Sequence, residues 1–117
     1  MNDLDAGGLR IVVESTPTSV QLKWRGRSVE RRPATTLGPF FETVLAELGD
    51  RRLMIDFREF EFMNSSTVRP IIEFLRSASE VAKAIEVYYH GGITWQRLSF
   101  KVVEALAKEW DNVSFSS

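Results

Sequence analysis

Leu53-Met54-Ile55-Asp56-Phe57-Arg58-Glu59-Phe60-Glu61-Phe62-Met63-Asn64-Ser65-Ser66-Thr67-Val68 is the stretch on which the reading of this chain turns. Its opening residues have the apolar run of a short buried strand that ends at Phe57. A tight turn carrying Phe60 and Phe62 is expected next, and the hydroxyls of Ser65 and Ser66 then open an amphipathic helix. That order sets Ser65 on the backbone amides of a helix N-terminus, where unpaired N–H groups and the helix dipole favour negative charge. A phosphate on this serine would be stabilised, and its removal would change the local surface sharply.

Outward from this segment, residues 68, 71, 72 and 75 give the second helix an apolar face, extended by Ala78 and Ala82. Pro70 is expected in its first turn, where little hydrogen bonding is lost. Before the strand, Leu37, Phe40, Phe41, Val44, Leu45 and Leu48 make a helical stripe, with Thr35 or Thr36 as cap and Gly49 as stop. Earlier still, apolar and β-branched runs at 9–14 and 19–24 flank Ser15-Thr16-Pro17-Thr18 and read as a hairpin. The arginine-rich connector at 25–33 reads as a solvated loop, with a short edge strand at 28–31 that Pro33 ends.

Downstream, 85–89 reads as a strand, His90-Gly91-Gly92 as a loop, and Thr94 as the cap of a third helix. The stripe Trp95, Leu98, Val102, Ala105 and Leu106 is expected to bury that helix, leaving Phe100 exposed as a protein-contact residue. Phe74, at the margin of its own stripe, is expected in the core. A last strand is read at 113–115. The order β-β-α-β-α-β-α-β predicts an α/β domain: a mixed, mainly parallel sheet with helices packed on it.

Composition narrows the function classes. At 117 residues the chain makes one domain, 1–117, with its core at about 9–115. A net charge of −1 favours neither nucleic acid nor an anionic membrane surface as partner. No apolar run is long enough for membrane insertion, and the acidic, polar start is the reverse of a secretory signal, so the cytoplasm is the expected compartment. The absence of cysteine excludes disulfides, thiolate nucleophiles and thiolate metal sites. His90 is the one histidine, so a metal site would fall to carboxylates, and Asp56, Glu59 and Glu61 lack calcium-loop spacing; no metal and no cofactor is expected. A Ser65–His90 nucleophilic pair would need a third member and a nucleophile elbow, neither of which the sequence supplies. Arg69, four residues after Ser65, is within reach of an anion at the helix start, or else lies solvated on the polar face.

The strand-turn-helix stretch resembles the signature of STAS domains, in particular the bacterial anti-sigma-factor antagonists. In that family an apolar strand ending in hydrophobic-Asp-Leu leads through apolar turn positions into Asp-Ser-Ser/Thr-Gly and a helix. Here Asp56 follows Ile55, Phe60, Phe62 and Met63 fill the turn positions, and Asn64-Ser65-Ser66-Thr67 occupies the Asp-Ser-Ser-Gly slot. Asn64 stands for the usual Asp and Thr67 for the usual Gly, so the resemblance is to a divergent branch. It implies a non-catalytic phospho-acceptor module of a partner-switching pathway, with Ser65 phosphorylated by a serine kinase and anti-sigma factor of the histidine-kinase ATPase fold. A PP2C-like phosphatase would reset it. Ser66 and Thr67 are alternative acceptors, and Asn64, Ser65, Ser66, Thr67 and Arg69 are the implied partner-binding residues. Two other readings stand beside this one: a constitutive STAS subunit bracing a transporter or signalling complex, and a small enzyme using Ser65 and His90.

Overall fold

In a computed structural model that describes all residues 1–117, one face of every strand turns inward and the other turns to water. The strands are β1 (Leu4–Ala6), β2 (Leu9–Ser15), β3 (Ser19–Ser28), β4 (Arg52–Met63), β5 (Ala84–Tyr88) and β6 (Val113–Ser116). The helices are α1 (Pro33–Leu48), α2 (Ser65–Ser79) and α3 (Thr94–Leu106). The strands lie side by side in chain order, β1-β2-β3-β4-β5-β6. The first two pairings are antiparallel and the remaining three parallel, which is the mixed, mainly parallel α/β sheet the sequence predicts.

Cross-strand register explains the two faces. Ile11, Trp24 and Leu22 continue through Ile55 and Val87 to Phe115 on the covered side, where period-two alternation puts every second residue inward. The helices bury their apolar faces against this side and share one core cluster with it. Phe41 of α1 stacks on Phe74 of α2 at 4.2 Å between ring centroids, so Phe74 is indeed core. Trp24 sits at the centre, 5.1 Å from Phe57 and 5.2 Å from Phe60, and its buried indole N–H has no hydrogen-bond partner. The opposite face carries cross-strand ion pairs, Lys23–Glu59 at 2.8 Å among them.

Several expectations are corrected. A short strand, β1, precedes the hairpin, so the order is β-β-β-α-β-α-β-α-β. Gly26 of β3 lets the turn after β1 come close: its φ is 80°, and a Cβ there would fall 2.0 Å from the Gly8 carbonyl oxygen. Residues 58–63 form no turn; they continue β4. Between Lys23 and Arg25, and again between Gly26 and Arg27, β4 carries one residue more than β3. These two bulges change the inward spacing from two to three, so Phe57, Phe60 and Met63 all point into the core. Pro33 does not end an edge strand at 28–31; β3 runs to Ser28, and Pro33 opens α1 at its first position. Pro70 lies beyond the first turn of α2, at its sixth residue, so the Ser66 carbonyl has no N–H four residues on.

The third helix is rotated from its expected setting. Gln96, Phe100 and Val103 are buried, whereas Leu98, Val102 and Leu106 are 61%, 56% and 55% exposed. Phe100 is therefore a core residue, stacked on Phe57 at 4.5 Å, and not a surface contact. The reason lies in β4. Beyond Asp56 it outruns β5 and has no neighbour on that side. Its Phe57 and Phe60 carbonyls accept instead from the Gln96 amide, at 2.7 and 2.8 Å, and the Gln96 carbonyl accepts from the His90 N–H at 2.7 Å. A buried strand edge must find donors, and satisfying it turns Gln96 inward.

Candidate functional site

The start of α2 is built by the residues around Asn64. Asn64 adopts an extended conformation (φ −77°, ψ 167°) at the N-cap. Its side chain does not cap a backbone amide; it braces. The Asn64 amide donates to the Glu30 carbonyl at 2.8 Å, and its Oδ1 accepts from the Thr67 hydroxyl at 2.7 Å. Thr67 Oγ1 also lies 2.8 Å from the Ser28 hydroxyl, and the Asn64 N–H donates to the Ser28 carbonyl at 3.0 Å. The end of β3, the end of β4 and the first turn of α2 are thus joined by one polar network, buried at Ser28 and Thr67, which holds the helix start in a fixed position.

Ser65 is the first residue of α2 and is exposed, as is Ser66. Their amides, in the first turn, have no carbonyl to bond within the helix, and no side chain takes the place of one. No Asp or Glu occupies that turn. An anion on Ser65 therefore meets open amides and the positive end of the helix.

Thr67 differs from its two neighbours. It is fully buried, and its hydroxyl is engaged on both sides, by Asn64 and Ser28. That geometry takes Thr67 out of the set of acceptors and surface contacts and makes it a framing residue. Asn64 is partly buried. Arg69 is exposed, but its guanidinium turns away from the helix start to pair with Glu73 at 3.0 Å.

Two residues of the connector expected to be a solvated loop belong here. Arg31 and Arg32 line an open groove of about 400 Å³ with Ser66 and Arg69, between the beginnings of α1 and α2. The run of arginines before Pro33 was the available signal; what the sequence could not give was the crossover that lays it beside α2.

His90 is not brought to Ser65. It is exposed on the loop after β5, and its Nδ1 accepts from the Gly92 N–H at 3.0 Å. No hydrogen bond links the two side chains. No three His, Asp or Glu side chains converge in a way that would hold a metal.

The perturbed carboxylate of this region is Asp56, buried on β4. Burial pushes its carboxyl up, but the Arg58 guanidinium and amide, donating at 2.9–3.0 Å, together with the charges of Arg58 and Lys23, outweigh that and hold it below the usual range. The acid of the strand-end signature is thus a structural anchor for Arg58. Glu59 is also held low, through its bond to Lys23.

No family model and no curated protein matches this sequence. Solved structures do match. An anti-sigma factor antagonist from Mycobacterium paratuberculosis superposes with a TM-score of 0.64 at 18% identity, over 88% of this chain and 86% of that one. An uncharacterised protein with a SpoIIAA-like fold from Shewanella loihica PV-4 superposes with a TM-score of 0.58 at 13% identity, over 97% and 91%. At such identities the likeness is one of fold, and it extends over nearly the whole length of all three chains. The chain has the SpoIIAA-like fold.

Proposed function

We propose that this domain is a non-catalytic phospho-acceptor module of a partner-switching pathway, with Ser65 as the acceptor and Ser66 as the alternative. The observation that carries the reading is the exposed Ser65 hydroxyl at the first position of α2, above open backbone amides and on a rigid frame. The fold shared with an anti-sigma factor antagonist supports it by analogy. Unmodified, the domain docks a partner through the surface formed by Asn64, Ser65, Ser66 and Arg69, with Thr67 holding that surface from beneath. Phosphorylation by a cytoplasmic serine kinase of the histidine-kinase ATPase fold places a double negative charge in the contact and breaks it. A PP2C-like phosphatase restores binding.

Titration calorimetry against the cognate kinase tests this. Ser65→Ala keeps binding and cannot be modified. Ser65→Asp binds more weakly, because an unpaired charge at an interface costs several kcal/mol, while the helix N-terminus tolerates the acid and the fold survives. Equal affinities for wild type and both variants would instead make the domain a constitutive brace, and mass spectrometry locating phosphate on Ser66 alone would move the switch by one residue.

A further inference from the structure

A second basic surface lies at the carboxyl end of β5, beside the first turns of α3. Arg58, His90, Gly91, Gly92, Arg97 and Lys101 line an open groove of about 550 Å³ there, with one hydrophobic residue in its wall. Three cationic side chains and an imidazole in one groove suit an anion. No Asp or Glu lines the groove, so its charged side chains are cationic, and Ser117 lies against Gly91 in the same wall.

Each donor is left free to bind. Arg58 is clamped by Asp56 through Nε at 3.0 Å and Nη2 at 2.9 Å, which fixes the guanidinium and leaves Nη1 open. Arg97 spends one N–H of Nη1 on the Gly91 carbonyl, at 2.9 Å, which ties it to the loop with the rest of its fork unused. Lys101, one turn along α3, forms no ion pair, nor does Arg97. The Gly92 N–H occupies His90 Nδ1, so the neutral imidazole carries its proton on Nε2 and presents a donor. Gly92 is needed for this, because a Cβ there would come 2.8 Å from His90 Cε1.

We propose that this groove binds a small, multiply charged phosphate ligand, with Arg97 and Lys101 as its principal anion-binding residues. Cations on successive helical turns suit neighbouring phosphates of one molecule, and a preset guanidinium fork matches phosphate oxygens in geometry as well as charge. The site is independent of Ser65 and stands or falls apart from the switch.

Calorimetric titration of the intact domain with inorganic pyrophosphate at low salt tests it. Wild type binds saturably, at one site, and more tightly than it binds orthophosphate. Lys101→Glu, at an exposed position with no ion pair to lose, keeps the native circular dichroism spectrum and weakens pyrophosphate binding by about tenfold or more. The double variant Arg31→Ala/Arg32→Ala, in the other basic groove, changes it by less than about twofold. Absence of saturable binding, unchanged affinity in Lys101→Glu, loss in the Arg31/Arg32 variant instead, or equal affinity for orthophosphate would each overturn the proposal.

Discussion

Helices α2 and α3 cover the same sheet, but the polar residue each buries answers a different need: Thr67 braces its own helix start, and Gln96 serves the sheet. The covered face of α2 includes Ile71, Phe74, Leu75 and Ala78. That of α3 is led by a glutamine, while a line of aliphatics faces water. The difference comes from the sheet beneath. Up to Asp56, β4 is paired on both sides, so its backbone asks nothing of a helix lying on it except apolar contact. Past Asp56 it is paired on one side only, and there α3 supplies the missing donors. What a helix must bury is set by what its sheet leaves unsatisfied.

The comparison breaks first at Phe100. If α3 is held by the ring stacked on Phe57 and flanked by Tyr89 at 5.7 Å, Phe100→Ala lowers stability by about 3–5 kcal/mol, read by denaturant unfolding. A loss below about 1 kcal/mol would put Phe100 on the surface and return α3 to its expected orientation.

Gln96→Leu sharpens the contrast, because it keeps the volume and removes the polar function. Two carbonyls and the His90 N–H lose their partner, and the loss is about 2–4 kcal/mol, each orphaned buried group costing about 1–3 kcal/mol. A neutral or stabilising effect would mean that water reaches the β4 edge and that α3 sits there for apolar reasons alone.

Asp56→Asn extends the test to the residue where pairing stops, with an expected loss of about 1–2 kcal/mol at neutral pH. The sign follows from the carboxyl being held below its ordinary value of 3.8 in the folded state. Its stabilisation is complete above that value and is lost as pH falls through the lower, folded one. The gap between wild type and variant therefore starts to narrow as pH falls below about 4 and closes below the folded value, and a gap that persists into strong acid would assign the effect to shape and not to charge.

The smallest effect is expected at Leu98, where Leu98→Ala changes stability by less than about 0.5 kcal/mol, since the side chain is 61% exposed. A core-sized loss would show the aliphatic line to be buried after all.

These same places separate what could be read in the sequence from what could not. The α2 register, Ser65 at its start and the parallel β4–β5 pairing follow from period and capping chemistry, and Ile71, Leu75 and Ala78 lie where periodicity puts them. The third helix carries two competing stripes, Trp95-Leu98-Val102-Leu106 and Phe100-Val103-Ala107, and hydrophobicity favours the wrong one. Only the pair of open carbonyls on β4, a tertiary fact, decides between them. Residues 58–63 are hard to read for a related reason: two bulges change the inward period from two to three, which resembles a turn to any rule built on alternation. At the site, the positions of Ser65 and Ser66 were local and readable, whereas the seclusion of Thr67 depends on Ser28, far away in sequence.

The agreement between strand order in space and strand order along the chain has a consequence for biosynthesis. A ribosome releasing this protein from the N-terminus delivers each strand to the edge of a sheet already begun, and no later strand has to wedge between earlier ones. Chain growth and sheet growth run in step, which keeps the loops to be closed short. The exception is the far half of β4. Its free edge stays open to water, or to a strand of another nascent chain, until Gln96 emerges to close it.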